Sequence, residues 1–180
     1  MAVPPDFVAG QVLTAAQMNA IGLWEVKSQT IGTAVSSVTV TGAFSADYDS
    51  YLIRVTGGTA STSLGLNLTL GSTTTGYYWG GVTSTYAAGA PAAFSNTNQP
   101  SWAFAGSGES SGLIRRVELN NPFLADETSY SNVYATLRTT GSGGITVGYL
   151  NDTTSYTAFT ITTSTGTITG GTIRVYGFRN

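Results

Sequence analysis

Leu64, Leu66, Leu68 and Leu70 alternate with Gly65, Asn67 and Thr69. A period of two puts four leucines on one face of an extended strand and the polar groups on the other, a pattern no helix can use. Similar alternation recurs at Val35 to Thr41, Tyr51 to Thr56, Leu113 to Leu119, Val133 to Arg138, Ile145 to Tyr149, Thr157 to Ile161 and Ile173 to Phe178. Between these runs lie the turn signals Gly57-Gly58, Ser142-Gly143-Gly144, Asn151-Asp152 and Gly170-Gly171. Short strands about ten residues apart, with no helical pattern after Gly22, predict an all-β, antiparallel, jelly-roll-like β-sandwich of two sheets with about four strands each. The 180 residues suit one such domain.

Composition restricts the chemistry. Charged residues make up 9% of the chain, against about 25% in an ordinary soluble domain, so Ser, Thr, Asn and Gly carry solubility. Lys27 is the only lysine and the net charge is −2, which argues against a nucleic-acid groove or an anionic-membrane surface. There is no Cys and no His. Disulfides, thiolate nucleophiles, a Ser-His-Asp triad and His-ligated zinc are therefore excluded by composition. Asp47 with Asp49, and Asp126 with Glu127, are the close acid pairs; both sit in turn contexts where solvated loop carboxylates are the simpler reading than a glycosidase pair. Asp47, Asp49 and Asp152 lack the ladder of oxygen ligands that a calcium loop needs. No cofactor and no metal is expected. No run approaches 18 consecutive apolar residues, and the N-terminus lacks the basic and apolar regions of a signal peptide.

Ahead of the strand-forming body lies a short helix signal. Thr14 followed by Gln17 forms a capping box, Leu13 and Met18 form a hydrophobic staple, and Gly22 closes the segment. A helix of about seven residues is too short to stand alone, so Val12, Leu13, Met18, Ile21 and Trp24 need a surface. That surface is either one end of the chain's own domain or a neighbouring subunit or larger assembly. The expected division is residues 1–23 as an anchor segment and 24–180 as the sandwich body.

From Tyr77 to Gly108 the strand rhythm lapses, and Tyr77, Tyr78, Trp79, Tyr86, Phe94, Trp102 and Phe104 gather among glycines and prolines. A long loop insertion is expected here. Its aromatics either cap one end of the sandwich or present a surface to a receptor, a subunit or a sugar, with Tyr77, Tyr78, Trp79, Tyr86 and Trp102 as the candidate contacts.

The segment Gly10-Gln11-Val12-Leu13-Thr14-Ala15-Ala16-Gln17-Met18-Asn19 resembles the G-x-x-L-T-A-A-x-x-N opening of many tailed-bacteriophage minor tail, fibre and other virion proteins. Tyr51-Leu52-Ile53-Arg54-Val55, Leu66-Asn67-Leu68, Gly76-Tyr77-Tyr78 and the ending Gly170-Gly171-Thr172-Ile173-Arg174-Val175-Tyr176-Gly177-Phe178 are similar to phage-encoded jelly-roll modules whose last strand closes with Ile-x-x-Tyr-Gly. The resemblance implies a non-enzymatic virion protein, homo-oligomeric and often trimeric. It would be attached to other virion proteins through Val12, Leu13, Thr14, Gln17, Met18, Ile21 and Trp24, with the β-body outward and in reach of a host-surface glycan. A tail-associated or fibre-like role and a capsid-decoration or head-fibre role are both compatible with these features.

Overall fold

The computed structural model describes Gly10, Val12 and residues 23–87, 89–136 and 141–178. The expected helix, with Leu13, Thr14, Gln17, Met18 and Ile21, lies outside the described residues. Those described form strands and connections without a helix: β1 (Leu23–Thr30), β2 (Ser37–Val40), β3 (Ser50–Thr56), β4 (Thr59–Ala60), β5 (Leu64–Leu70), β6 (Tyr77–Thr85) and β7 (Pro91–Gln99). The second half adds β8 (Ser107–Glu109), β9 (Gly112–Asn120), β10 (Thr128–Ala135), β11 (Ser142–Leu150), β12 (Phe159–Thr163), β13 (Ile168–Thr169) and β14 (Thr172–Phe178). No helix among them is long and apolar enough to cross a membrane.

The protein is all-β and every strand pairing is antiparallel. The strands do not divide four and four as expected. One layer runs β1-β14-β3-β9-β10-β11-β6-β7, and the other runs β2-β12-β5-β8. They are joined at β9, whose first residues pair with β8 while the rest pair with β3 and β10. The larger layer outgrows the expectation because β1 and the β6–β7 hairpin, neither read as strands from the sequence, extend it at both edges.

Each layer contributes one apolar face to a single core. Leu64, Leu66, Leu68 and Leu70 of β5 and Phe159 and Ile161 of β12 face Tyr51, Ile53, Val55, Val117, Leu119, Ile173 and Val175. Phe44 bridges the layers, edge-on to Tyr51 at 4.8 Å and 5.7 Å from Phe159. The Tyr77 hydroxyl accepts from the Leu70 N–H at 2.7 Å and donates to the Thr73 carbonyl at 3.2 Å, so this buried phenol also ties β6 to the end of β5. The Gly57-Gly58 and Gly170-Gly171 signals mark one shared bend: all four residues have positive φ, and the β3–β14 pair turns there to continue as β4–β13. A side chain at Gly58 would strike the Gly170 backbone, which is why glycine stands there.

Candidate interaction surface

Strand β11 is turned the opposite way from what its composition favours. Ile145, Val147 and Tyr149 are the apolar set of its alternation, yet they face outward, with Ile145 47% and Val147 49% exposed. The inward set is Thr146, Gly148 and Leu150, and Thr146 is fully buried. The reason lies in the neighbours. Gly148 is paired with Tyr130 on one side and Trp79 on the other, and those rings fill the core above it. A Cβ at Gly148 would run into the Tyr78 carbonyl oxygen and the Trp79 backbone, so no apolar residue could enter from that position. Thr146 Oγ1 of β11 and Oδ1 of Asn132, its opposite residue on β10, are buried without a hydrogen-bond partner, although Asn132 Nδ2 donates to the Phe104 carbonyl at 2.7 Å.

The outward residues of adjacent strands line up with those of β11. Val133 of β10 is opposite Ile145, which is opposite Val82 of β6, which is opposite Ala93 of β7. Tyr149 is opposite Tyr78, and the two rings stack at 5.0 Å with planes 10° apart. Beside them a shallow hollow is lined by Gly80, Ser95, Thr97 and Val147. Strands β6, β7, β10 and β11 contain no charged residue. Burying a Val or Ile side chain is worth roughly 1.5–3 kcal/mol, so this face forgoes several such contributions unless something covers it.

The other half of the same face is charged. Arg54 of β3 is directly opposite Arg174 of β14 on one side and Arg116 of β9 on the other. Arg116 pairs with Glu118, two residues on in the same strand, at 2.8 Å, and Arg174 pairs with Glu25 of β1 at 3.4 Å. Where the charged and apolar halves meet, Arg116, Glu118, Ser131 and Val133 line a cavity of about 210 Å³.

The five aromatic contact candidates separate by depth. Tyr77, Trp79 and Trp102 are buried in the core, so for these three the inward alternative describes their position; Trp102 stacks on Tyr130 and meets Tyr77 edge-on. They are inside because Tyr77–Gly108 is a hairpin followed by a return along β5, where Trp102 and Leu68 exchange backbone hydrogen bonds, and not a projecting loop. Tyr78 and Tyr86 are at the surface. Phe104, which was not among the candidates, is 46% exposed at positive φ. It borders a cavity of about 170 Å³ with Tyr134, Thr136 and Glu109, where Glu109 accepts from Ser63 Oγ at 3.0 Å.

The anchor candidates Val12 and Trp24 fall in different settings. Val12 is exposed. Trp24 is half-buried in β1 opposite Gly177, so it belongs to the body's edge.

The acid pairs remain local. Asp47 Oδ2 accepts from Ser45 Oγ, and Asp126 Oδ1 accepts from the adjoining Glu127 N–H. Asp152 accepts from the Thr154 hydroxyl at 2.7 Å, the Tyr156 hydroxyl at 2.6 Å and the Thr154 N–H at 2.8 Å. These bonds, led by that of the Thr154 side chain, hold its carboxyl below the usual aspartate range. Among the described residues no three acids gather into a group that could hold a metal.

Sequence reasoning missed Val82, Val133, Ile145, Val147 and Tyr149 as a surface set. The available signal was the complete absence of charge from Tyr77 to Gln99 and from Ser129 to Ala135. Comparison with known proteins returns no matching family model, no matching curated protein and no matching solved structure.

Proposed function

We propose that this chain is a non-enzymatic structural protein of a bacteriophage virion, tail-associated or fibre-like. In this reading its N-terminal segment attaches it to other virion proteins, and its jelly-roll-like sandwich is packed among further subunits and carried outward toward the host surface. The observation that carries the assembly role is the inverted strand β11. A chain that buries Thr146 and exposes Ile145 and Val147 breaks the rule that its own β5 obeys, and such breaks concentrate where a surface serves a partner. The Thr- and Ser-rich body with 9% charged residues and the resemblance of Gly10 to Asn19 to virion-protein openings support the setting.

Cryo-microscopy of intact particles tests it. The expected result is density for the sandwich at a fixed, symmetric position on the tail, with the face of β10, β11 and β6 covered. Purified particles that lack the polypeptide would overturn the proposal, and density on the capsid would replace the tail by a decoration role.

A further inference from the structure

The edges of the two layers differ in how they are guarded. A long, flat, uncharged edge strand offers unpaired N–H and C=O groups to any other strand, and proteins blunt such edges with charge, shortness, proline or bulges. Strand β1, at one edge of the larger layer, carries Glu25 and Lys27 and a register shift between them. Strand β2, at the edge of the smaller layer, has only four residues. Strand β7 closes the other edge of the larger layer with nine residues, Pro-Ala-Ala-Phe-Ser-Asn-Thr-Asn-Gln, none of them charged. Its irregularities fall at its ends: Pro91 is its first residue, and the register shift against β6 falls between the Trp79–Asn96 and Tyr77–Gln99 pairs, where Asn98 has positive φ. Ala92 to Asn96 is therefore straight and neutral. All of β7 except Phe94 and Gln99 is exposed, and nothing among the described residues pairs with its outer edge.

We infer that β7 pairs with β7 of a second copy of this chain, antiparallel across a two-fold axis, so that the two larger layers become one continuous sheet. A second copy is the occupant the observations favour. The edge is bordered by the uncharged face of Val82, Val147 and Tyr149 with no acid or base to select a charged partner, and a neutral nine-residue strand is complementary to itself in an isologous pairing. The pairing aligns the apolar faces of both copies into one uninterrupted surface, doubling the area open to the rest of an assembly. This inference rests on the reading of the chain as an assembly protein and names its first partner.

The test uses the full chain and two single substitutions, Ser95→Lys and Asn96→Lys, which place a charge on opposite faces of the strand at positions that are themselves exposed. Light scattering after size exclusion is expected to give the wild type twice the 18.6 kDa chain mass and both variants the single-chain mass at the same concentration, a weakening of at least about tenfold. Circular dichroism below the melt is expected to be unchanged, and melting to be lowered only by the loss of the dimer's concentration-dependent stabilisation. Hydrogen exchange is expected to protect, in the wild type and not in the variants, those amides of residues 92–96 that point away from β6. A monomeric wild type, a trimer, or a dimer that both lysine variants leave intact would overturn the β7 pairing. None of these results would remove the chain from a particle, so the proposed function fails or stands separately on cryo-microscopy.

Discussion

Trp102 stacks on Tyr130 with ring centroids 4.8 Å apart and planes 11° from parallel. The pair joins the strand-like return after β7 to the middle of β10, so a segment with no regular run of its own holds the larger layer to β5. Trp102 is fully buried, and Trp102→Ala is expected to cost about 3–5 kcal/mol, the range for removing a large aromatic from a core. Urea denaturation reads it as a lowered midpoint at unchanged slope.

Arg54 has an arginine directly across the ladder on both sides, and like charges opposite one another destabilise a sheet. Arg174 and Arg116 each have an acidic partner. Arg54→Gln is therefore expected to stabilise the fold by roughly 0.2–1 kcal/mol at low ionic strength. The gain should shrink in 1 M salt, where screening acts within about 3 Å. Paired denaturation curves at the two salt concentrations check both parts.

Gly148→Val is expected to disrupt the β6–β11 pairing, because the new side chain would meet the Tyr78 carbonyl and the Trp79 backbone. The expected loss is at least about 3 kcal/mol. Gly89→Ala serves as the comparison: a Cβ there meets nothing within 4 Å, and only its φ of +66° opposes the change. Its expected loss is about 1 kcal/mol. Thermal melts of the two variants rank them.

Acid and alkali act on different groups. The Asp152 carboxyl titrates below its unfolded value of about 3.9 because Thr154 and Tyr156 donate to it. Its contribution is thus present above about pH 4 and lost as pH falls through the lower, folded value. Asp152→Asn is expected to flatten the loss of stability between pH 5 and pH 2. Burial raises the Tyr77 phenol, as it does those of Tyr51 and Tyr156. Their contribution is complete below about pH 10 and is lost above it, as the unfolded chain ionises first. Denaturation midpoints measured across pH 2–12 are expected to fall at both ends.

The legibility of the fold varies along the chain for physical reasons. Strand β5 was readable because its period-two leucines all point into the core, and β3, β9 and β14 share that logic. The β6–β7 hairpin was hidden because Gly80-Gly81, Gly89 and Pro91 resemble loop punctuation, whereas Gly81 is required within β6, where a Cβ would strike the Ile145 carbonyl. Strand β11 was legible in its alternation and not in its sense, since a period of two defines two faces without saying which one neighbouring aromatics will occupy. For the same reason the aromatic residues picked from composition were divided between core and surface. Whether a Tyr or Trp lies inside depends on strand register, which no local signal carried.

On the proposed function, other subunits cover the outward face of β10, β11 and β6 in the particle. The most direct measurement is incorporation of Val147→Lys into particles, assayed against wild type in the same preparation. The expected result is a chain that folds and melts like the wild type, because Val147 is half exposed and contributes little to the core, together with loss of the protein from purified particles. Incorporation of the lysine variant at the wild-type level would contradict the claim.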